Sequence, residues 1–288
     1  NISDISNNAR LLYKKYTIDS DSFFMKLGPF ENIRIKHIKG TDLKTILSGV
    51  ELKTKYKPED LRLHISNERD HYNMAIDTIS LAHVALDFSP DQPNVNLLTL
   101  DLINPNLKIY RDKLVADDLT YKPMISEMIR NIPLGFKIDS FNIKNAAVRY
   151  RERVHPYNSG GELFFTNSNI NIQNLTNRDS ISPLQINIHS YFYGKSPIKA
   201  EWKFDLYSPN DNFTFKAEIN ALDLNEINTF STPNLNMKMS GEFKKLFYTI
   251  SGNKNSSNID LKVDYSDIKI SVLNKTHKQR NKFYSSLA

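Results

Sequence analysis

Across residues 184–272 apolar and polar side chains alternate with a period of two, run after run. Ile186 and Ile188, with Ser190, alternate with Gln185, Asn187 and His189; Ala200, Trp202, Phe204 and Leu206 alternate with Glu201, Lys203 and Asp205. Phe213, Phe215, Ala217 and Ile219 follow, then Leu235, Met237 and Met239, then Ile259, Leu261, Val263 and Tyr265, then Ile268, Ile270 and Val272. Side chains on a strand point alternately to opposite faces, so the pattern predicts a long antiparallel sheet, apolar on one side and polar on the other.

Earlier in the chain the same reading predicts strands over 17–27, 33–39, 61–66, 73–88, 98–110, 136–151 and 162–173. Clusters of Gly, Pro, Asn and Ser at 194–197, 208–212 and 251–258 mark hairpin loops, and successive strands are expected to pair in a meander. Helical spacing is confined to 2–16, 41–47, 123–131 and 223–228; Pro123 suits a helix start, and Asp223 suits an N-cap with Glu226 three residues on. The fold class is therefore mainly β: a long curved antiparallel sheet, as an open groove or half-closed barrel, with two to four short helices.

Leu100, Leu102, Asn104, Leu107 and Ile109 align at an offset of 41 with Phe141, Ile143, Asn145, Val148 and Tyr150. Each copy reads as a strand, a kink at Asn and a strand again, the mark of a supersecondary unit that hides its apolar side by stacking on a neighbour.

Four segments carry a family resemblance: NPNLKIYRDK, KPMISEMIRNIP, IKNAAVRYRER and GNKNSSNIDLKVDYSDIKISVLNK. Over residues 98–288 the chain resembles the AsmA-like proteins of Bacteroidetes-type bacteria, relatives of the TamB and bridge-like lipid-transfer group. Asn258 stands where Gly is expected and Ile268 where Leu is commoner. The resemblance implies a periplasmic protein tethered to the inner membrane by an N-terminal helix, with a taco-like groove that shelters phospholipid and an outer-membrane partner. On this basis 1–94 is expected to be a β-rich N-terminal segment with an opening helix, 95–274 the β-groove and 275–288 a basic tail, the whole an excised piece of a longer chain.

Charge adds little to this picture. The net charge is +6, and Lys275, Lys278, Arg280 and Lys282, with no acid among residues 275–288, leave 6 − 4 = +2 for the rest. No helix-turn-helix, zinc-ligand spacing or RNP-like motif points to nucleic acid. No apolar run is long enough to span a membrane, and the absence of cysteine excludes disulfides and thiolate metal sites. The sequons at Asn174, Asn212, Asn255 and Asn274 carry no weight in a chain so rich in Asn.

No catalytic constellation is legible. The seven histidines are scattered without HxH or HExxH spacing, and no GxSxG elbow, Walker loop or GxGxxG turn occurs, so no enzyme, cofactor or metal is expected. Two readings of the aromatic face remain. Ile186, Ile188, Trp202, Phe204, Phe213, Phe215, Ile219, Leu261 and Val263 line a lipid groove, or they are the dry core of a closed β-sandwich acting as a periplasmic scaffold. Likewise Arg111, Arg151 and Arg153 either cap strand ends as exposed charges or grip a lipid headgroup phosphate at the groove rim.

Overall fold

A computed structural model of the chain describes residues 11–13, 15–88, 93–178 and 183–274. In chain order the strands are β1 (Leu11–Tyr13), β2 (Thr17–Ser20), β3 (Phe23–Leu27), β4 (Glu31–Thr41), β5 (Lys44–Thr54), β6 (Asp70–Ala82), β7 (Ala85–Phe88), β8 (Asn94–Ile103) and β9 (Asn106–Asp112). Helix α1 (Ile125–Arg130) leads to β10 (Gly135–Arg153), β11 (Gly161–Thr176), β12 (Leu184–Phe192), β13 (Ser196–Phe204) and β14 (Phe213–Asp223). Helix α2 (Leu224–Leu235) precedes β15 (Met237–Gly252) and β16 (Ser257–Val272).

All sixteen strands among the described residues join one sheet, so the protein is mainly β. β8 and β9 are two halves of one long strand, broken at Asn104 and Pro105, with β6 on one side and β10 on the other. From β10 to β16 each strand pairs antiparallel with the next, the expected meander. The sheet as a whole is mixed, because β8 and β9 run parallel to β10. A parallel pair needs a long crossover, and residues 113–134, which contain α1, supply it. β16 pairs only with β15, so the sheet is not a closed barrel, and no second sheet packs on it among the described residues, as a closed sandwich would need.

Three local expectations are corrected. Residues 41–47 are not helical: β4 turns into β5 there, and the β-branched Thr41, Thr45 and Ile46 suit strands paired on both sides. Residues 61–66 hold a short 3-10 turn, Leu61–Leu63, whose Leu61 is buried. The helix begun by Asp223, whose carboxylate accepts the Asn225 N–H at 2.9 Å, runs past 228 through Pro233 to a left-handed cap at Asn236, so Leu235 ends a helix rather than opening a strand. Of the opening helix expected over 2–16, residues 1–10 and 14 lie outside the described residues, and Leu11–Tyr13 forms β1. The basic tail at 275–288 also lies outside them.

The sheet bends where the hydrophobic alternation slips phase. Apolar spacing changes from two to three between Ile35 and Ile38 on β4, Leu47 and Val50 on β5, and Ile76 and Ile79 on β6. It does so again between Leu102 and Pro105, Ile143 and Ala146 on β10, and Phe165 and Ser168 on β11. At or beside these slips Gly49, Asn104, Asn145 and Asn167 have φ of 61°, 52°, 56° and 49°, the left-handed region that Gly and Asn tolerate best. An inserted left-handed residue bends a strand and flips the parity of the residues beyond it. The slip in the sequence cancels the flip, so apolar residues stay on one face while the strands curve.

Candidate functional site: an apolar trough

One apolar row crosses eleven strands without a break: Ile38, Leu47, Ile79, Leu102, Ile143, Ile170, Ile188, Ala200, Ala217, Tyr248 and Leu261 are successive cross-strand partners. A second row runs Leu81, Leu100, Phe141, Ile172, Ile186, Trp202, Phe215, Ile250 and Ile259. The next row on the opposite face is polar: Asp101, Asn142, Asn171, Asn187, Glu201, Lys216, Thr249 and Asp260.

The apolar face is concave. A cavity of about 390 Å³ is lined by Met74 of β6, Leu102 and Leu107, Ile143 and Val148 of β10, Phe165 and Ile170 of β11, Ile188, Ala200, Phe215 and Tyr248 of β15. In a flat sheet β6 and β15 would lie about 34 Å apart, seven steps of ~4.8 Å. That both border one cavity means that the sheet curls around it. Small residues on its floor, Ala146, Ala200, Ser168 and Ser190, leave the room; the two hydroxyls satisfy each other at 2.6 Å between Ser168 Oγ and Ser190 Oγ.

The two helices sit at opposite ends of β13. At one end Ile129 of α1 packs on a core of Ile172, Leu184, Phe204 and Leu206, joined by Trp202 and Phe213. Arg130 Nη1 and Ser126 Oγ both donate to Asp211 Oδ1 at 2.7 Å, and Arg130 also donates to the Leu206 carbonyl, fastening α1 to the β13–β14 loop. At the other end Ile227 of α2 packs with Ile198, Ile219, Leu222 and Phe192. Between Ile198 and Phe204 lie about 20 Å of strand, and the cavity borders β13 at Ile198 and Ala200, toward the α2 end.

The sequence-predicted lining residues divide accordingly. Ile188 and Phe215 border the cavity; Ile186 and Trp202 are one row away. Phe204 and Phe213 belong to the packed core under α1, and Ile219 to the core under α2. Leu261 and Val263 lie on the terminal strand β16, where Leu261 is 64 % exposed. Sequence reasoning placed the groove over 95–274 but named no lining residue on β6 or β8–β11, although the three-residue slips there mark the same face.

The three arginines are not brought together, although Arg151 and Arg153 border one cavity on the outer face. Arg111 shares the face of Leu107 and Ile109 but is held bidentately by Asp70 at 2.7 Å for both bonds. That carboxylate keeps its guanidinium firmly charged. Beside it, burial first and then the Glu152 carboxylate at 2.6 Å raise the Tyr150 phenol above its usual range. Arg153 lies on the outer face and donates to the carbonyls of His155, Pro156 and Asn158, so it shapes its own hairpin loop. Arg151, also outward, stacks over Tyr110 at 5.0 Å and lies 3.7 Å from Glu59.

Among the described residues, Asp19, Asp21 and His37 form the one group with metal-ligand proximity; the two carboxylates are exposed and His37 is half-buried. No helix among the described residues is long and apolar enough to cross a membrane. Neither a protein-family model nor a curated protein matches the chain.

Proposed function

We propose that this protein is a non-catalytic lipid carrier of the cell envelope, sheltering phospholipid acyl chains in the trough. The observation that carries the reading is the cavity of about 390 Å³ whose lining is drawn from strands as far apart as β6 and β15. Its size falls within the range of small-molecule sites, and its walls offer dispersion and burial but few directional polar groups. Burying a methylene stabilises by about 0.8 kcal/mol, so eight methylenes contribute about 6 kcal/mol, an upper figure that needs no headgroup pocket. Selectivity among phospholipids is then low. The resemblance in residues 98–288 supports a setting between the inner and outer membranes of a Gram-negative bacterium, and a role in outer-membrane assembly or lipid transport.

The test is native mass spectrometry of protein purified in mild detergent, beside an Ala200→Phe variant. Ala200 is small, borders the cavity beside the core under α2 and faces Ala217 across the strands, so Phe intrudes on the cavity, and circular dichroism of the variant checks that the fold is kept. The expected result is copurified phospholipid on the parent and a several-fold loss on the variant. Equal or absent lipid on both contradicts the proposal.

A further inference from the structure

A second cavity, of about 260 Å³, lies on the opposite, polar face. Its rows are set by strand register: Asn73, Lys108 and Arg149 are successive partners across β6, β9 and β10, and His71, Tyr110, Arg151 and Glu162 form the neighbouring row. His71 and Tyr110 are buried beneath it. His71 Nε2 donates to the Tyr56 carbonyl at 2.9 Å, which holds the segment bearing Pro58 against the cavity wall.

Positive charge is in excess there. Three cations, Lys108, Arg149 and Arg151, face one lining carboxylate, Glu162, which Arg149 engages at 2.8 Å. Glu59 lies 3.7 Å from Arg151, beyond hydrogen-bond reach, and Lys108 has no ion-pair partner among the described residues. The guanidinium of Arg149 stacks over Phe164 and that of Arg151 over Tyr110, each at 5.0 Å. Stacking fixes the plane of each fork and leaves its N–H edges to meet an acceptor.

We propose that this outer cavity binds a phosphate-type oxyanion, free or esterified to a small polar group, between Lys108 and the two arginines. Arginine forks match tetrahedral oxyanions bidentately, and lysine adds a point charge. An acyl chain in this cavity would desolvate Lys108, Arg149, Arg151 and Glu162 without pairing them, and the cavity opens on the face away from the trough. The site is therefore independent of the lipid reading, and loss of lipid capture leaves it untouched.

The experiment is titration with inorganic phosphate, and separately with glycerol phosphate, at constant ionic strength maintained with chloride. Saturable one-to-one binding is expected, weakened at least about tenfold by Lys108→Gln and by Arg151→Gln, with circular dichroism unchanged and a Lys26→Gln control unaffected. Arg151→Lys separates fork from charge, since it keeps the charge yet loses the bidentate contact. Flotation with phosphatidic acid vesicles distinguishes the source: binding sensitive to the same variants supports an esterified headgroup, and binding of free phosphate alone supports a soluble anion. A response that does not saturate, or one equal in parent and variants, overturns the proposal.

Discussion

Asn145 donates from its side-chain Nδ2 to Oδ1 of Asn104 at 2.9 Å, although the two residues lie 41 positions apart. Both have left-handed backbone, and they stand side by side where β8–β9 and β10 kink together. The contact belongs to a ladder: Asn104 Nδ2 donates to Asp77 Oδ2 at 2.9 Å, and the Asn145 backbone N–H donates to Asn169 Oδ1 at 3.1 Å. Side chains thus satisfy polar groups along the line of bulges that gives the sheet its curvature.

Conformation and hydrogen bonding at Asn145 are separable. Asn145→Gly keeps the left-handed backbone and loses the side-chain bond, for an expected cost of about 1 kcal/mol in urea denaturation. Asn145→Val loses the bond and forces a β-branched residue into positive φ, for about 3 kcal/mol. Equal costs would mean that the kink does not require this conformation.

The α1 fastening responds to acid. The bond from Arg130 holds the Asp211 carboxyl below its ordinary value of 3.8, assisted by Ser126 and against the opposing effect of burial. Because the folded value is depressed, the stabilisation is present in full above pH 3.8 and fades as pH falls through the folded value. Exchange of α1 amides is expected to quicken relative to β10 below pH 3.8. Asp211→Ala, which strands Arg130, is expected to cost about 3 kcal/mol at neutral pH and to abolish that acid dependence. An unchanged acid response in the variant would assign it to other groups.

Two aromatics on one face differ in what surrounds them. Phe204 is 3 % exposed inside the α1 core, whereas Phe215 borders the cavity. Phe204→Asp buries a carboxylate without a partner and is expected to unfold the β12–β14 region. Phe215→Asp can turn its charge toward the open trough, so the fold is expected to survive with a melting temperature lowered by only a few degrees. Comparable unfolding in both variants, followed by thermal circular dichroism, would show that the trough is closed around Phe215.

Much of this was legible in the amino-acid order. Alternation marked the face of β12–β16, and the offset of 41 turns out to be spatial register: Leu100 pairs with Phe141, Leu102 with Ile143, Leu107 with Val148 and Ile109 with Tyr150. The same phase slip in β4, β5, β6 and β11 carried the rest of the bend, at residues where it passes for irregular strand. Parallel pairing was not legible, because parity on one strand carries no information about the direction of its neighbour. Nor was the division between sealed and open apolar residues. Phe204 and Phe215 share the apolar face and the same chemistry, and only α1, fastened across 81 and 85 positions of sequence, separates their surroundings.

Trp202, the single tryptophan, lies one row from the cavity and against Phe215 on its wall, so it reports on the trough. It packs edge-on to Phe204 and Phe215 with ring centroids 5.4 and 6.1 Å away, and its buried Nε1 has no hydrogen-bond partner. The measurement is Trp202 fluorescence while delipidated protein is titrated with phospholipid brominated along its acyl chains, beside the same lipid unbrominated. Acyl chains in the trough quench Trp202 with the brominated lipid alone, to a saturable limit that Ala200→Phe removes. Identical emission with both lipids, at concentrations where the lipid is bound, would contradict a trough that holds fatty chains.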